Sequence, residues 1–339
     1  MSQPEFEIIA RYFNQASLGF SKAGVDLGIG DDCALLTAPP GQQITISMDL
    51  LNQSVHFPVD ADPALLAIRA LSVNLSDLAA MGSVPLCFTL GLSLNNPDSA
   101  WLQAFSSGLT KIATRYNCPL VGGDLCKGPL SIAIQVQGTV PEGEALTRAG
   151  ARIGDAIYVT GTLGDGAIAL ASLGIESESM QKISLCATGQ TEQCRQYFKA
   201  AFYAPVPRLE IAQQARHLIN SAIDISDGLL GDLGHIIECS GVGAEVHTYQ
   251  LPYSDAAQCC TTEQERQHAA LTGGDDYELC LTIAPENCAS FERLAELADT
   301  RVTRIGAITD SPGILCLDQH SKNLIMQDQS YSHFKAKGA

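Results

Sequence analysis

Carboxylates recur along this chain where burial costs most: Asp31 and Asp32 in IGDDCALL, Asp49 in ITISMDLL, Asp77 in VNLSDLAAMG, Asp124 in LVGGDL, Asp224 and Asp227 in AIDISDGLL. An ionised carboxylate set among Ile, Leu, Ala and Gly needs a cation, an array of backbone N–H groups or a raised pKa before it can leave water. A divalent ion can serve several carboxylates at once. The chain is therefore expected to fold so that separate segments deliver hard oxygen ligands to common points, the ligand type that Mg2+ takes while keeping waters and bridging to substrate phosphates. Asp62 is different, because Asp62-Pro63 before ALLAIRALSVNLSDLAAMG reads as a helix N-cap with Pro at the first helical position and Gly82 past the end. Within that helix Asp77 lies one turn beyond Asn74, so the two polar groups share a face otherwise built for burial. Asp227 can be read as the N-cap of its helix, and Asp32 as a turn residue. Paired glycines before Asp124 let backbone approach a ligand where a Cβ would block it.

What is missing narrows the chemistry. No Gly-Lys dipeptide occurs, so there is no lysine-bearing phosphate loop, and neither H-R-D nor D-F-G is present. If phosphates bind, metal ions must offset most of their charge, which phosphoryl transfer permits. Arg148 in LTRAGARIGD is a candidate cation at the domain junction, or an exposed loop charge. The formal charge of −17 repels nucleic acid and anionic bilayers, and no run of Lys and Arg compensates it. Neither partner is expected. The longest uncharged run, 78–97, is cut by Gly82, Pro85 and Gly91 into pieces too short to span a membrane. The start of the chain lacks a signal-peptide pattern and reads as a first helix. Twelve scattered cysteines without a C-x-x-C pair indicate reduced thiols in a cytoplasm rather than a disulfide framework or a zinc site.

At 339 residues, two domains are expected, 1–145 and 146–339. Strand patterns at 43–48, 86–93 and 131–140 flank helices at 63–81 and 99–116, the latter capped by Asp98, which makes the first half α+β or mixed α/β. PEGEALTRAGARIGDA reads as a linker. The second half opens with a strand at 156–160 and Gly161-Thr-Leu-Gly-Asp-Gly166 turning into a helix. That loop fits neither G-x-G-x-x-G nor the lysine-bearing loop, and a plain turn is the simpler reading. Further helices are expected at 207–220, 227–240 with Gly241 as stop, and 289–298, with strands near Glu245, at 277–283 and at 302–308.

With these residues in hand, the chain resembles the thiamine-monophosphate kinases, of the superfamily that includes aminoimidazole ribonucleotide synthetase and selenophosphate synthetase. The likeness runs from GIGDDCAL through SMDLLNQSVHF, LSVNLSDLAAMG, GGDL, TRAGARIGD, DISDGL and GGDDYEL to YSHF at Tyr331. It implies a two-domain α/β (α+β) fold whose N-terminal domain pairs across a homodimer, with ATP and several Mg2+ ions held between the domains. Carried over by position, Asp31, Ser47, Met48 (through its carbonyl), Asp49, Asp77, Asp124, Asp224 and Asp227 are implied as metal ligands. Gly123, Asp124, Arg148 and Ser226 are implied as ATP contacts, and His56, Asp275 and Tyr331 as contacts to thiamine monophosphate. Asp275 stands where the family has Glu, one methylene longer. The implied reaction is ATP-dependent phosphorylation of thiamine monophosphate to thiamine diphosphate. The alternatives are a sister ATP-dependent synthetase, which would share the carboxylates but use another second substrate, and a nucleotide- or metal-binding module without turnover.

Overall fold

The computed structural model describes residues 5–175, 183, 185 and 191–324. Contacts divide the chain into two compact units, Met1–Leu78 with Gly82–Ala145, and Ala79–Met81 with Leu146–Ala339.

The first unit begins with helix α1 (Glu5–Ile8), which continues as a π-helical turn over Ile9–Phe13. Two short strands, β1 (Val25–Leu27) and β2 (Leu35–Leu36), pair with each other. Then come β3 (Gln42–Asn52), α2 (Pro63–Ala80), β4 (Val84–Leu94), α3 (Ser99–Arg115), β5 (Leu120–Lys127) and β6 (Ser131–Pro141). The larger sheet has the order β3-β6-β4-β5, with β6 antiparallel to both neighbours and β5 parallel to β4. The expected caps are in place. Asp62 accepts from the amides of Ala64 (2.9 Å) and Leu65 (3.1 Å), and Asp98 from that of Trp101 (2.8 Å), satisfying orphan donors at each helix start. Helix α2 is long and apolar enough to cross a bilayer, but 72% of that window is buried inside the fold, as befits a core helix.

Strand β5 was not expected. Its Gly122-Gly123-Asp124 reads as a loop, because two glycines lack the side chains that mark strands. It forms as the edge strand because β4 presents a full row of backbone partners, from Phe88 to Leu94. Strand β3 also runs past the expected end at Met48 to Asn52, so Asp49 lies within a strand.

The second unit contains β7 (Ala156–Thr160), α4 (Asp165–Ser172), α5 (Glu192–Tyr203), α6 (Leu209–Ala215), β8 (Ile219–Ile225), α7 (Leu229–Ser240), β9 (Gly243–His247), α8 (Asp255–Cys260), α9 (Glu263–Thr272), β10 (Glu278–Ile283), α10 (Cys288–Leu297), β11 (Val302–Thr309) and β12 (Gly313–Leu317). Its sheet has the order β12-β9-β11-β7-β10-β8, antiparallel except for β12 on β9. Ile157, Val159, Ile223 and Ile225 from the sheet pack with Leu229, Leu233 and Ile236 of α7 into its core. The helix expected at 207–220 is shorter. It ends at Ala215, passes through a 3-10 turn at Arg216–Leu218, and Ile219 already begins β8, because INSAIDI supplies a strand buried at every position but Asn220 beside β10. Every described cysteine is a free thiol.

Candidate active site

In the first unit, α2 and β3 bring together residues far apart in sequence. The Ser47 hydroxyl donates to Asp77 Oδ2 at 2.5 Å, and the Asp49 backbone N–H donates to Asn74 Oδ1 at 3.0 Å. Asn74 is oriented in turn by its Nδ2, which donates to the Ala70 carbonyl at 2.8 Å. The shared polar face of α2 is thus laid on the alternate residues Ser47 and Asp49 of β3. Between them Met48 points the other way and is 57% exposed, so only its carbonyl is available to this cluster. His56 lies in the turn after β3, where its Nδ1 accepts from the Asn52 amide at 2.9 Å. That bond leaves Nε2 as the protonated nitrogen, a donor suited to an anion.

Asp31, Asp32 and Asp124 lie elsewhere in the same unit. They line a cleft of about 640 Å3 together with Gly30, Gly122, Gly123 and the apolar side chains of Phe6, Phe13, Leu90 and Leu92. Gly123, at φ +157, has a tighter constraint than ligand access, since a Cβ there would sit 1.9 Å from the Leu90 carbonyl oxygen of β4. The glycine is required by the neighbouring strand, and Asp124 follows on the same edge.

The second unit gathers the remaining candidates. Asp224, 6% exposed, pairs with Leu279 on β10, and the chain then turns through Ser226 and Asp227 into α7. Asp227 is not the helix cap. Gly228, at φ +112, occupies that position, and the carboxylate of Asp232 in the first turn accepts from the amides of Ser226 and Asp227, each at 3.1 Å. Burial pushes the Asp232 carboxyl up to about 7, against the pull of those amides. The segment Asp275–Tyr277 runs alongside, with the Asp275 amide on the Ser226 carbonyl and that of Tyr277 on Ile225, both 2.8 Å. Ser226, Asp227 and Asp275 are thereby neighbours. Arg148 is exposed, on a loop held to this unit by Ser240, whose Oγ donates to its carbonyl at 3.3 Å, and by the Ala222 amide on the Thr147 carbonyl at 3.0 Å. Tyr331 lies outside the described residues.

The Gly161–Gly166 loop is a turn, and the amides of Gly164 and Gly166 are already engaged. Asp276 accepts from Gly164 N (2.7 Å) and Gly166 N (2.9 Å), so an internal carboxylate takes the place an anion would have at the start of α4. Sequence reading missed Asp232 and Asp276, whose partners are backbone amides and leave no residue signature. As placed, no three His, Cys, Asp or Glu side chains among the described residues stand within ligating reach of one point. The donors nevertheless fit Mg2+ by chemistry, being carboxylates, a hydroxyl and a carbonyl.

Residues 30–140 match the family model described as AIR synthase related protein, N-terminal domain, and residues 152–316 the corresponding C-terminal domain. The chain is 42% identical over 334 residues to thiamine-monophosphate kinase of Escherichia coli strain K12, covering 98% of this chain and 99% of that one. It is 38% identical over 313 residues to the enzyme of the same name from Haemophilus influenzae, covering 92% of each. Its structure is similar to that of thiamine-monophosphate kinase from Stenotrophomonas maltophilia K279a, with a TM-score of 0.82 at 39% identity over 93% of this chain and 97% of that one. It is also similar to AaThiL complexed with AMPPCP and TMP, with a TM-score of 0.73 at 26% identity over 97% of each chain. Two matched domains in order and likeness along almost the full length place the molecule among these proteins: the chain belongs to the thiamine-monophosphate kinase family of AIR synthase related proteins.

Proposed function

We infer that this protein transfers the γ-phosphoryl group of ATP to thiamine monophosphate, giving thiamine diphosphate and ADP. The observation that carries this reading is the 42% identity to a thiamine-monophosphate kinase over 98% of the chain. AaThiL, similar over 97% of this chain, was seen with AMPPCP and TMP, an ATP analogue and the acceptor. A phosphate oxygen of thiamine monophosphate attacks the γ-phosphorus in line, and the bond to the ADP oxygen breaks. The acceptor is already anionic near pH 7, so no side chain has to act as a strong general base.

Asp31, Ser47, the Met48 carbonyl, Asp49, Asp77, Asp124, Asp224 and Asp227 would hold several Mg2+ ions. Bound there, Mg2+ supplies charge neutralisation to the phosphates, which no phosphate-loop lysine provides. Gly123, Asp124, Arg148 and Ser226 contact ATP. His56 donates from Nε2 toward thiamine monophosphate, with Asp275 and Tyr331 completing that subsite. We place the enzyme in the cytoplasm, in keeping with the free thiols of every described cysteine.

Turnover is expected to need ATP, Mg2+ and thiamine monophosphate together. ADP release measured in parallel with thiamine monophosphate, with thiamine and with no acceptor tests this, and equal release with unphosphorylated thiamine would defeat the assignment. We further propose a two-fold homodimer through β3, an edge strand. Its outward residues Ile44, Ile46, Met48 and Leu50 are 40, 63, 57 and 49% exposed, an apolar row that water disfavours. Sedimentation at micromolar concentration is expected to give twice the 35.9 kDa chain mass, and Ile46→Glu to give monomer. A wild-type protein sedimenting only at monomer mass would remove the dimer from the proposal.

A further inference from the structure

The segment Gly274-Asp275-Asp276-Tyr277 is backbone of an uncommon kind. Asp275 (φ +74) and Tyr277 (φ +51) are both left-handed without being glycine, a conformation that persists only where surroundings over-determine it. Asp276, between them, ties the segment to a second element. Its two carboxylate oxygens take one amide each from the start of α4, Gly164 N at 2.7 Å and Gly166 N at 2.9 Å. These are charge-assisted bonds at a helix N-terminus, where a carboxylate is favoured. Burial opposes the charge, with smaller contributions from the nearby Asp165 and Glu278 carboxylates, and raises the Asp276 carboxyl well above its ordinary value against the pull of the two amides. The same amide loop presses on the neighbouring residue. Gly166 is so close to Asp275 that a Cβ would lie 2.3 Å from the Asp275 carbonyl oxygen, and from the opposite side the Asp275 amide is held by Ser226. Asp275 is therefore gripped between the α4 loop and the Ser226 turn, and Asp276 is the clasp.

We propose that Asp276 is a positioning residue for thiamine monophosphate, fixing the left-handed backbone from which Asp275 reaches the substrate. The inference rests on the assignment of Asp275 to the acceptor subsite. Asp275 has a short side chain, which cannot correct for a displaced backbone by changing rotamer. In this chain the clasp consequently matters more for acceptor binding than for ATP.

The full-length protein carries the test. In Asp276→Asn one amide loses its acceptor, because the Nδ2 group is itself a donor. We expect KM for thiamine monophosphate to rise about tenfold, the weight of one charge-assisted hydrogen bond, with KM for ATP changed less than about twofold. Asp275→Ala should show the same split. The double variant Asp275→Ala/Asp276→Asn should be no worse than Asp275→Ala alone, since a residue acting only through another has nothing left to position. Multiplying effects, or equal losses for both substrates, would mean a general structural role and overturn the proposal. A normal KM for thiamine monophosphate in folded Asp276→Asn, with Asp275→Ala impaired, overturns it as well. A normal KM in Asp275→Ala removes the subsite assignment itself, and the proposal with it. Should Asp276→Asn not fold, Gly166→Ala presses on the Asp275 carbonyl while keeping the Asp276 carboxylate itself. It should reproduce the split and its non-additivity with Asp275→Ala, and its failure to do so counts against the clasp.

Discussion

Asp77→Asn is expected to lower kcat roughly a hundredfold to a thousandfold, about 3–4 kcal/mol of lost charge stabilisation at the transferred phosphoryl group. The fold should survive. Asn has nearly the shape of Asp, and its Oδ1 can still accept the Ser47 hydroxyl that now sits 2.5 Å from Asp77 Oδ2. Removing one negative charge from a cluster that also holds Asp49 relieves repulsion, so the melting temperature should stay level or rise, as is common when a site built for function is simplified. Steady-state kinetics at saturating ATP and Mg2+, beside a thermal melt, check both halves. Asn74→Ala makes the useful contrast: it deprives the Asp49 amide of its acceptor but removes no charge, so its rate loss should be smaller and its stability loss larger. A well-folded Asp77→Asn with ordinary kcat would return this polar pair to a role in holding α2 on β3.

Much of this arrangement is legible in the residues, and the illegible parts share a cause. Helix α2 could be read at both ends because caps are local: Asp62, Pro63 and Gly82 act within a few residues of the turns they define. The partnership of Asn74 and Asp77 could be read as a face, yet which strand receives it could not, since Ser47 and Asp49 are joined to them only by tertiary packing. Strand β5 was hidden for a related reason. Gly122 and Gly123 have no intrinsic strand preference, and the strand exists because the β4 edge stands beside it, at Gly123 too close for any side chain. Asp232 and Asp276 were passed over because their partners are backbone amides of Ser226, Asp227, Gly164 and Gly166. A helix-start carboxylate is visible in sequence. The amides that Asp232 takes across a turn and Asp276 takes from a distant loop are not.

The second large effect should fall on stability rather than rate. Arg208 and Glu278 form a two-pronged ion pair in which Nε donates to Oε2 at 2.6 Å and Nη2 to Oε1 at 2.5 Å, with the side chains 19 and 11% exposed. The Thr160 hydroxyl donates to the same Oε2 at 2.6 Å and accepts the Leu279 amide at 2.8 Å, so the pair is tied into the β7–β10 seam. Arg208→Ala would leave a largely buried carboxylate without its counter-charge. The cost is about 3 kcal/mol, at the lower end for a broken buried pair because some solvent still reaches it, and lowers Tm by roughly 6–12 °C for a unit of this size. Replacing both partners, as in Arg208→Met/Glu278→Leu, should recover a good part of that loss, because two apolar side chains need no counter-charge. If the double variant melts as low as Arg208→Ala, or if Arg208→Ala melts with the wild type, the pair is not what secures this seam. Position gives the effect a functional edge. Glu278 is the first residue of β10 and pairs with Ile225, directly after the Asp275–Tyr277 segment and directly before Ser226. Loosening that end of the strand should therefore raise KM for thiamine monophosphate at temperatures well below the melt, when the rest of the sheet is still closed.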